Sequence, residues 1–193
     1  MDIAKYLEAV KATISNLDPA VLGSFANHLE GAYNNSQTIY IIGNGGSAAN
    51  ASHFAQDLSK GIFFDASVAK TMKAISLTDN IAHITAIAND TGYQNIFSAQ
   101  LNTFANTGDL LICISGSGNS SNIIEAVKAA KQKGMFVIGV TGFDGGQLNA
   151  MSDFVVHVPL HEMCTVESIH SIIFHLMVLE LRERLTGQKV SGI

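Results

Sequence analysis

Apolar residues along this chain follow two alternating rhythms. In the short runs Thr38–Gly43 (TIYIIG), Lys73–Leu77 (KAISL), Asp109–Ser115 (DLLICIS), Met135–Thr141 (MFVIGVT) and Phe154–Val158 (FVVHV), most positions are apolar. Between them lie longer stretches whose apolar positions recur three or four apart. The short runs predict five β-strands, and apolar side chains at consecutive positions predict strands covered on both faces. Their alternation with helical stretches predicts parallel strands joined by crossover helices, hence an α/β fold of three layers around a doubly wound, five-stranded parallel sheet.

Helical spacing also precedes the first strand. Ile3, Leu7, Val10 and Ile14 form one series, and Val21, Leu22, Phe25 and Leu29 form another after Pro19. Proline suits the first turn of a helix and aspartate its N-cap, so Asp18 and Pro19 predict the start of a second helix. At the other end, Glu167 to Leu185 reads as one helix whose apolar residues Ile169, Ile172, Ile173, Leu176, Met177 and Leu179 wrap more than one face. A helix that broadly apolar needs neighbours on several sides, and an oligomer supplies them economically. With no repeat, low-complexity run or linker, residues 1–193 are expected to form one domain: N-terminal helices over 1–35 and an α/β core over 36–193.

Bulk composition changes this picture only by exclusion. A chain of 193 residues, 47% hydrophobic, closes one sizeable core. No stretch reaches the roughly 18 uncharged apolar residues of a membrane span, and the N-terminus carries charges at helical intervals, so a cytoplasmic protein without a membrane partner is expected. Sixteen acidic against eleven basic residues give a net charge of −5, and the basic residues form no cluster that would neutralise nucleic-acid phosphates. Cys113 and Cys164 lack CxxC spacing and read as reduced thiols.

The chemistry concentrates in two loops and two helices. Gly43-Asn44-Gly45-Gly46-Ser47 follows the first strand, and Ser115-Gly116-Ser117-Gly118-Asn119-Ser120-Ser121 follows the third. Glycines let the backbone approach a ligand, and hydroxyls with free amides at a helix N-terminus make a phosphate site without a lysine. Neither loop fits a dinucleotide fingerprint or a nucleotide P-loop, which leaves a small phosphorylated metabolite. The bland alternative is that each loop merely caps the next helix. His53 and Asp57, four apart, share one helix face; Glu167 and His175, eight apart on the last helix, can lean toward one cavity. Two imidazoles and two carboxylates at His53, Asp57, Glu167 and His175 would suit a divalent metal, zinc first, at one per subunit. The same groups could instead form a metal-free acid/base site. His28, His83 and His157 are assigned no role, while His161 and His170 stay open between structural and functional readings.

Beyond these local readings, GNGGSAANASHFAQDL, AIANDTGYQNIF, ISGSGNSSNIIEAVKAAKQKGM, TGFDGG and VESIHSIIFH resemble, in order and over nearly the whole chain, the motifs of the sedoheptulose 7-phosphate isomerases of the sugar isomerase (SIS) family. The resemblance implies a flavodoxin-like sheet and a homotetramer with active sites where subunits meet. It also implies an aldose–ketose isomerase acting on a sugar phosphate, toward activated heptose for cell-surface glycans. Phosphate contacts are then expected from Ser115, Ser117 and Ser120, with Asn44, Ser47 and Asp90 near the sugar, and Gly45, Gly46, Asn89, Gly116 and Glu167 complete the expected substrate-binding set. Asp57 and His175 fall on the catalytic positions, as carbon-proton shuttle and acid/base partner. Three positions depart from the pattern. Asp57 stands for a glutamate, a carboxylate shorter by roughly 1.5 Å at a place where position matters; Gly116 stands for a threonine; and Glu167 stands where glutamine is frequent. The competing reading is a non-catalytic relative that associates with a replication initiator. Such a protein lacks the titratable pair that Asp57 and His175 keep. A sugar-phosphate sensor fused to a DNA-binding domain would need more chain than is present.

Overall fold

A computed structural model describes residues 2–63 and 70–189; Met1, 64–69 and 190–193 of the expected domain lie outside the described residues. Two helices open the chain, α1 (Ile3–Ser15) and α2 (Pro19–Asn34). The predicted cap of α2 is present, with Ala20 N–H donating to Asp18 Oδ1 at 2.8 Å. The core then alternates β1 (Thr38–Gly43), α3 (Gly46–Gln56), β2 (Lys73–Ser76), α4 (Ile81–Thr91), α5 (Ser98–Phe104), β3 (Leu110–Ser115), α6 (Ser121–Gln132), β4 (Phe136–Thr141), α7 (Gly146–Met151), β5 (Phe154–His157) and α8 (Met163–Thr186). All five predicted strands are present to within a residue at each end. By contrast, α8 begins four residues before the expected start, because Glu162 accepts the amides of Cys164 and Thr165 and so opens the helix earlier.

The sheet is parallel in the order β2-β1-β3-β4-β5. Successive side chains of a strand point to opposite faces, and β1 divides accordingly. Ile39 and Ile41 enter a core with Phe25, Leu29, Phe54, Ile173 and Phe174 from α2, α3 and α8. Tyr40 and Ile42 enter the other, with Phe97, Leu101, Ile123 and Val127 from α5, α6 and the segment before α5. Covering both faces is what makes every position of β3 buried.

By length and composition, α8 is apolar enough to cross a membrane, unlike anything expected from runs of uncharged residues. Half of its most apolar window is buried inside the fold, however, against α2 and α3 and in the core that Ile39 and Ile41 of β1 also enter. Its outer face keeps Ile172 and Leu176 exposed, and α1 has no buried residue and exposes Ile3 and Leu7.

Candidate active site

The sheet reverses its winding between β1 and β3, and ligands of open α/β sheets bind at the carboxyl ends of such neighbours. Both glycine and serine loops leave the sheet there. After β1 the chain folds back at once: a β-carbon on Gly43 would lie 2.5 Å from the Ser47 carbonyl oxygen, and Gly45 adopts φ +57°. Two helices, α3 and α6, begin at this crevice, and neither has a side-chain cap, since Gly45 has none to offer and Ser120 makes no capping bond. Their first amides and the positive ends of two helix dipoles are thus presented to the crevice. A serine serving only as a cap would bond those amides.

Asn44, Gly45, Gly46, Ser47, Ser115, Gly116, Ser117 and Ser120 surround a cavity of about 230 Å³, closed on its far side by Met163 and Glu167 of α8. Gly46 packs against the Glu167 carboxylate, which would have to swing aside for a β-carbon. Gly116 makes room for a different side chain. A β-carbon on it would lie 2.5 Å from Met163 Sδ, so the thioether fills the space a threonine would need. Asn89 and Asp90 are exposed near the end of α4, where Asn89 donates to Asp90 at 2.8 Å, and they are not among the residues lining this cavity.

About two helical turns away along the same pair of helices, a second group gathers. Asp57 Oδ2 lies 3.4 Å from His53 Nε2 and 3.7 Å from His175 Nε2, and the three donor atoms fit within 4.8 Å of one another. Asp57 is 18% exposed, and the two imidazoles are 52% and 53% exposed. Asp57 and His175 border a hollow of about 510 Å³ with Lys60, Val178 and Arg182. Of the four expected metal ligands, His53, Asp57 and His175 come together and Glu167 does not. Eight residues of helix rise roughly 12 Å, so Glu167 and His175 keep to one side of α8 yet serve different cavities. Asn50, one turn before His53, secures the seam by donating to the Glu167 carbonyl at 3.0 Å.

Asp57 also marks a change of helix type. After Gln56 the chain makes one π-helical turn, Asp57–Gly61, closed by Ile62 N–H to Asp57 O at 3.1 Å. Such wide turns interrupt α-helices chiefly at functional sites. Gly61 leaves room for the Asp57 side chain, since a β-carbon there would stand 3.1 Å from Oδ1, and Arg182 donates to the Gly61 carbonyl at 3.0 Å. Periodicity does not reveal this turn; Gly61, four residues after Asp57, is its one trace in the sequence.

Four further histidines stand apart from both cavities. His170 is fully buried, and its Nε2 donates to the Thr141 carbonyl at 3.1 Å. Burial pushes its pKa down to about 4. His28 lies between Phe136 and Phe154, His157 bonds Thr141 Oγ1, and His161 meets Phe143 edge-on.

The SIS domain pattern matches residues 4–142, and the chain belongs to the SIS domain family. Among its relatives are the phosphoheptose isomerase of Aneurinibacillus thermoaerophilus, 38% identical over 83% of this chain and 80% of that one, and that of Cytophaga hutchinsonii, 36% identical over 95% and 97%. The solved phosphoheptose isomerase of Neisseria gonorrhoeae superposes with a TM-score of 0.83 at 34% identity, covering 94% of this chain and 95% of that one.

Proposed function

We propose that the chain is an aldose–ketose isomerase that interconverts sedoheptulose 7-phosphate and D-glycero-D-manno-heptose 7-phosphate. In this reading it works in the cytoplasm as a homotetramer with one zinc ion per subunit. The observation that carries the reading is that α3 and α8 hold a glycine- and serine-lined crevice at their N-terminal ends and the group His53, Asp57 and His175 two turns on. The relatives named phosphoheptose isomerase, matched over most of their length, supply the substrate.

In the proposed chemistry, the uncapped amides of α3 and α6 with Ser115, Ser117 and Ser120 bind the phosphate, and Asn44 and Ser47 bind sugar oxygens. Starting from the ketose, the Asp57 carboxylate takes a proton from C1 as the C2 carbonyl becomes an enediol oxygen. It returns the proton to C2 as the C1 oxygen becomes the aldehyde, while His175 moves the proton between the two oxygens. His53, Asp57 and His175 offer two nitrogens and one oxygen, a three-ligand set that fits catalytic zinc with a position left open. When bound, the ion would supply polarisation of the sugar oxygens. The exposed imidazoles and the neighbouring Ile172 and Leu176 on α8 support a partner subunit covering this end of the site. The test is to incubate the chain with five- to seven-carbon ketose phosphates, with and without divalent metal, and follow aldose formation. Turnover of sedoheptulose 7-phosphate supports the reading, and none with any member of the panel overturns it.

A further inference from the structure

Asn44 belongs to a hydrogen-bond chain that begins at a group with no choice of role. The Ile123 backbone amide donates to Asn122 Oδ1 at 3.0 Å. An amide N–H only donates, so this contact fixes which end of the Asn122 side chain is oxygen. Asn122 is 1% exposed and pairs reciprocally with Asn44: Asn44 Nδ2 donates to Asn122 Oδ1 at 2.9 Å, and Asn122 Nδ2 donates to Asn44 Oδ1 at 2.8 Å. With the Asn122 amide fixed, Asn44 has one orientation. Its oxygen also meets the Tyr93 hydroxyl at 2.9 Å, and because that oxygen only accepts, the phenol is the donor.

Counting valences leaves a single opening. Both lone pairs of Asn44 Oδ1 are taken, by Asn122 and Tyr93, and one of its two N–H bonds is taken by Asn122. What remains on this cavity-lining residue is one N–H. Tyr93, in the short turn Tyr93–Asn95, also ties the segment carrying Asn89 and Asp90 to the first glycine loop.

We propose that Asn122 and Tyr93 are positioning residues that lock the Asn44 amide as a donor to an acceptor oxygen of the sugar: a carbonyl or enediolate oxygen. A free amide could turn its own oxygen toward such an atom and repel it; the locked one cannot. This rests on the sugar-phosphate isomerase reading, and it identifies residues outside the loops that select how the ligand is met.

The test combines kinetics with a readout that needs no turnover. Tyr93→Phe removes the phenolic donor from a half-exposed side chain. Asn122→Asp keeps an acceptor for Ile123 but replaces the donor to Asn44 Oδ1 with a carboxylate oxygen, which removes one of the bonds that hold the Asn44 amide in place. In both variants KM for sedoheptulose 7-phosphate should rise about three- to tenfold, the scale of one hydrogen bond. The inhibition constant of inorganic phosphate and the melting temperature of Tyr93→Phe should stay within about twofold and a few degrees. In an Asn44→Ala background Tyr93→Phe should add nothing, because its partner is gone. The Asn44 side-chain amide resonances, assigned by their loss in Asn44→Ala, should move in Tyr93→Phe and in Asn122→Asp. Additive effects of Tyr93→Phe and Asn44→Ala, or unmoved Asn44 resonances, overturn the lock. Absence of turnover in the unaltered chain overturns the isomerase reading instead, and the resonances still decide the lock.

Discussion

Asp57 Oδ2 stands 3.7 Å from His175 Nε2, across the seam where α3 gives way to its π turn and meets α8. A carboxylate and an imidazole from two different helices, 118 positions apart in the numbering, thus face each other across one seam. Asp57→Asn and His175→Gln should each reduce isomerisation by about a hundredfold or more, the scale of losing a general acid or base. Inorganic phosphate binding should hold, since neither change touches the serine loop. Near-normal turnover in both variants would remove the pair from the mechanism.

Ser117→Ala and Ser120→Ala should each weaken inorganic phosphate binding, measured by calorimetry, because each deletes a hydroxyl donor beside an uncapped helix N-terminus. Glu167→Gln should act the other way and tighten phosphate, because it removes a negative charge from the same cavity. If the double serine variant binds phosphate as the unaltered chain does, the loop is no phosphate site.

Gly116→Thr should lower the melting temperature, since the added β-carbon would crowd Met163 Sδ at 2.5 Å. Overpacking of this kind costs about 1–3 kcal/mol. Met163→Ala should relieve most of that loss in the double variant. Additive melting shifts would show that the two positions do not share one space.

Chelator should remove both the metal and the activity if His53, Asp57 and His175 hold zinc, and titration with zinc at micromolar concentration, a binding free energy of about −8 kcal/mol, should restore both. His53→Ala should lose metal while leaving the phosphate cavity intact. Full activity of the stripped protein would refute the metal and spare the isomerase.

His170 has a folded pKa of about 4, depressed by burial, against an ordinary value of 6.5. The unfolded chain therefore binds the proton first as pH falls. Stability is fully present above about 6.5 and is lost progressively down to about 4, by on the order of 3 kcal/mol. His170→Gln, whose amide can donate to Thr141, should flatten the denaturant midpoint over that window. An unchanged acid slope would place the sensitivity elsewhere.

The sequence by itself determined the elements and the loops. Strand positions were legible because a strand buried on both faces must be apolar at every residue, as β3 is, and the start of α2 was legible because Asp18 and Pro19 act on their own backbone. Glycines at 43, 45 and 46 and the serines after β3 likewise announce themselves, since their use is local. What the sequence could not decide is which side chains meet. Helical spacing puts Glu167 and His175 on one side of α8, yet only the placement of α3 sends Glu167 to Gly46 and His175 to Asp57. Met163 against Gly116, the amide pair of Asn44 and Asn122, and the donor role of Tyr93 join residues 47, 78 and 49 positions apart. Such pairings depend on strand order and on how α8 packs across the sheet, and periodicity along one segment carries no information about its distance from another.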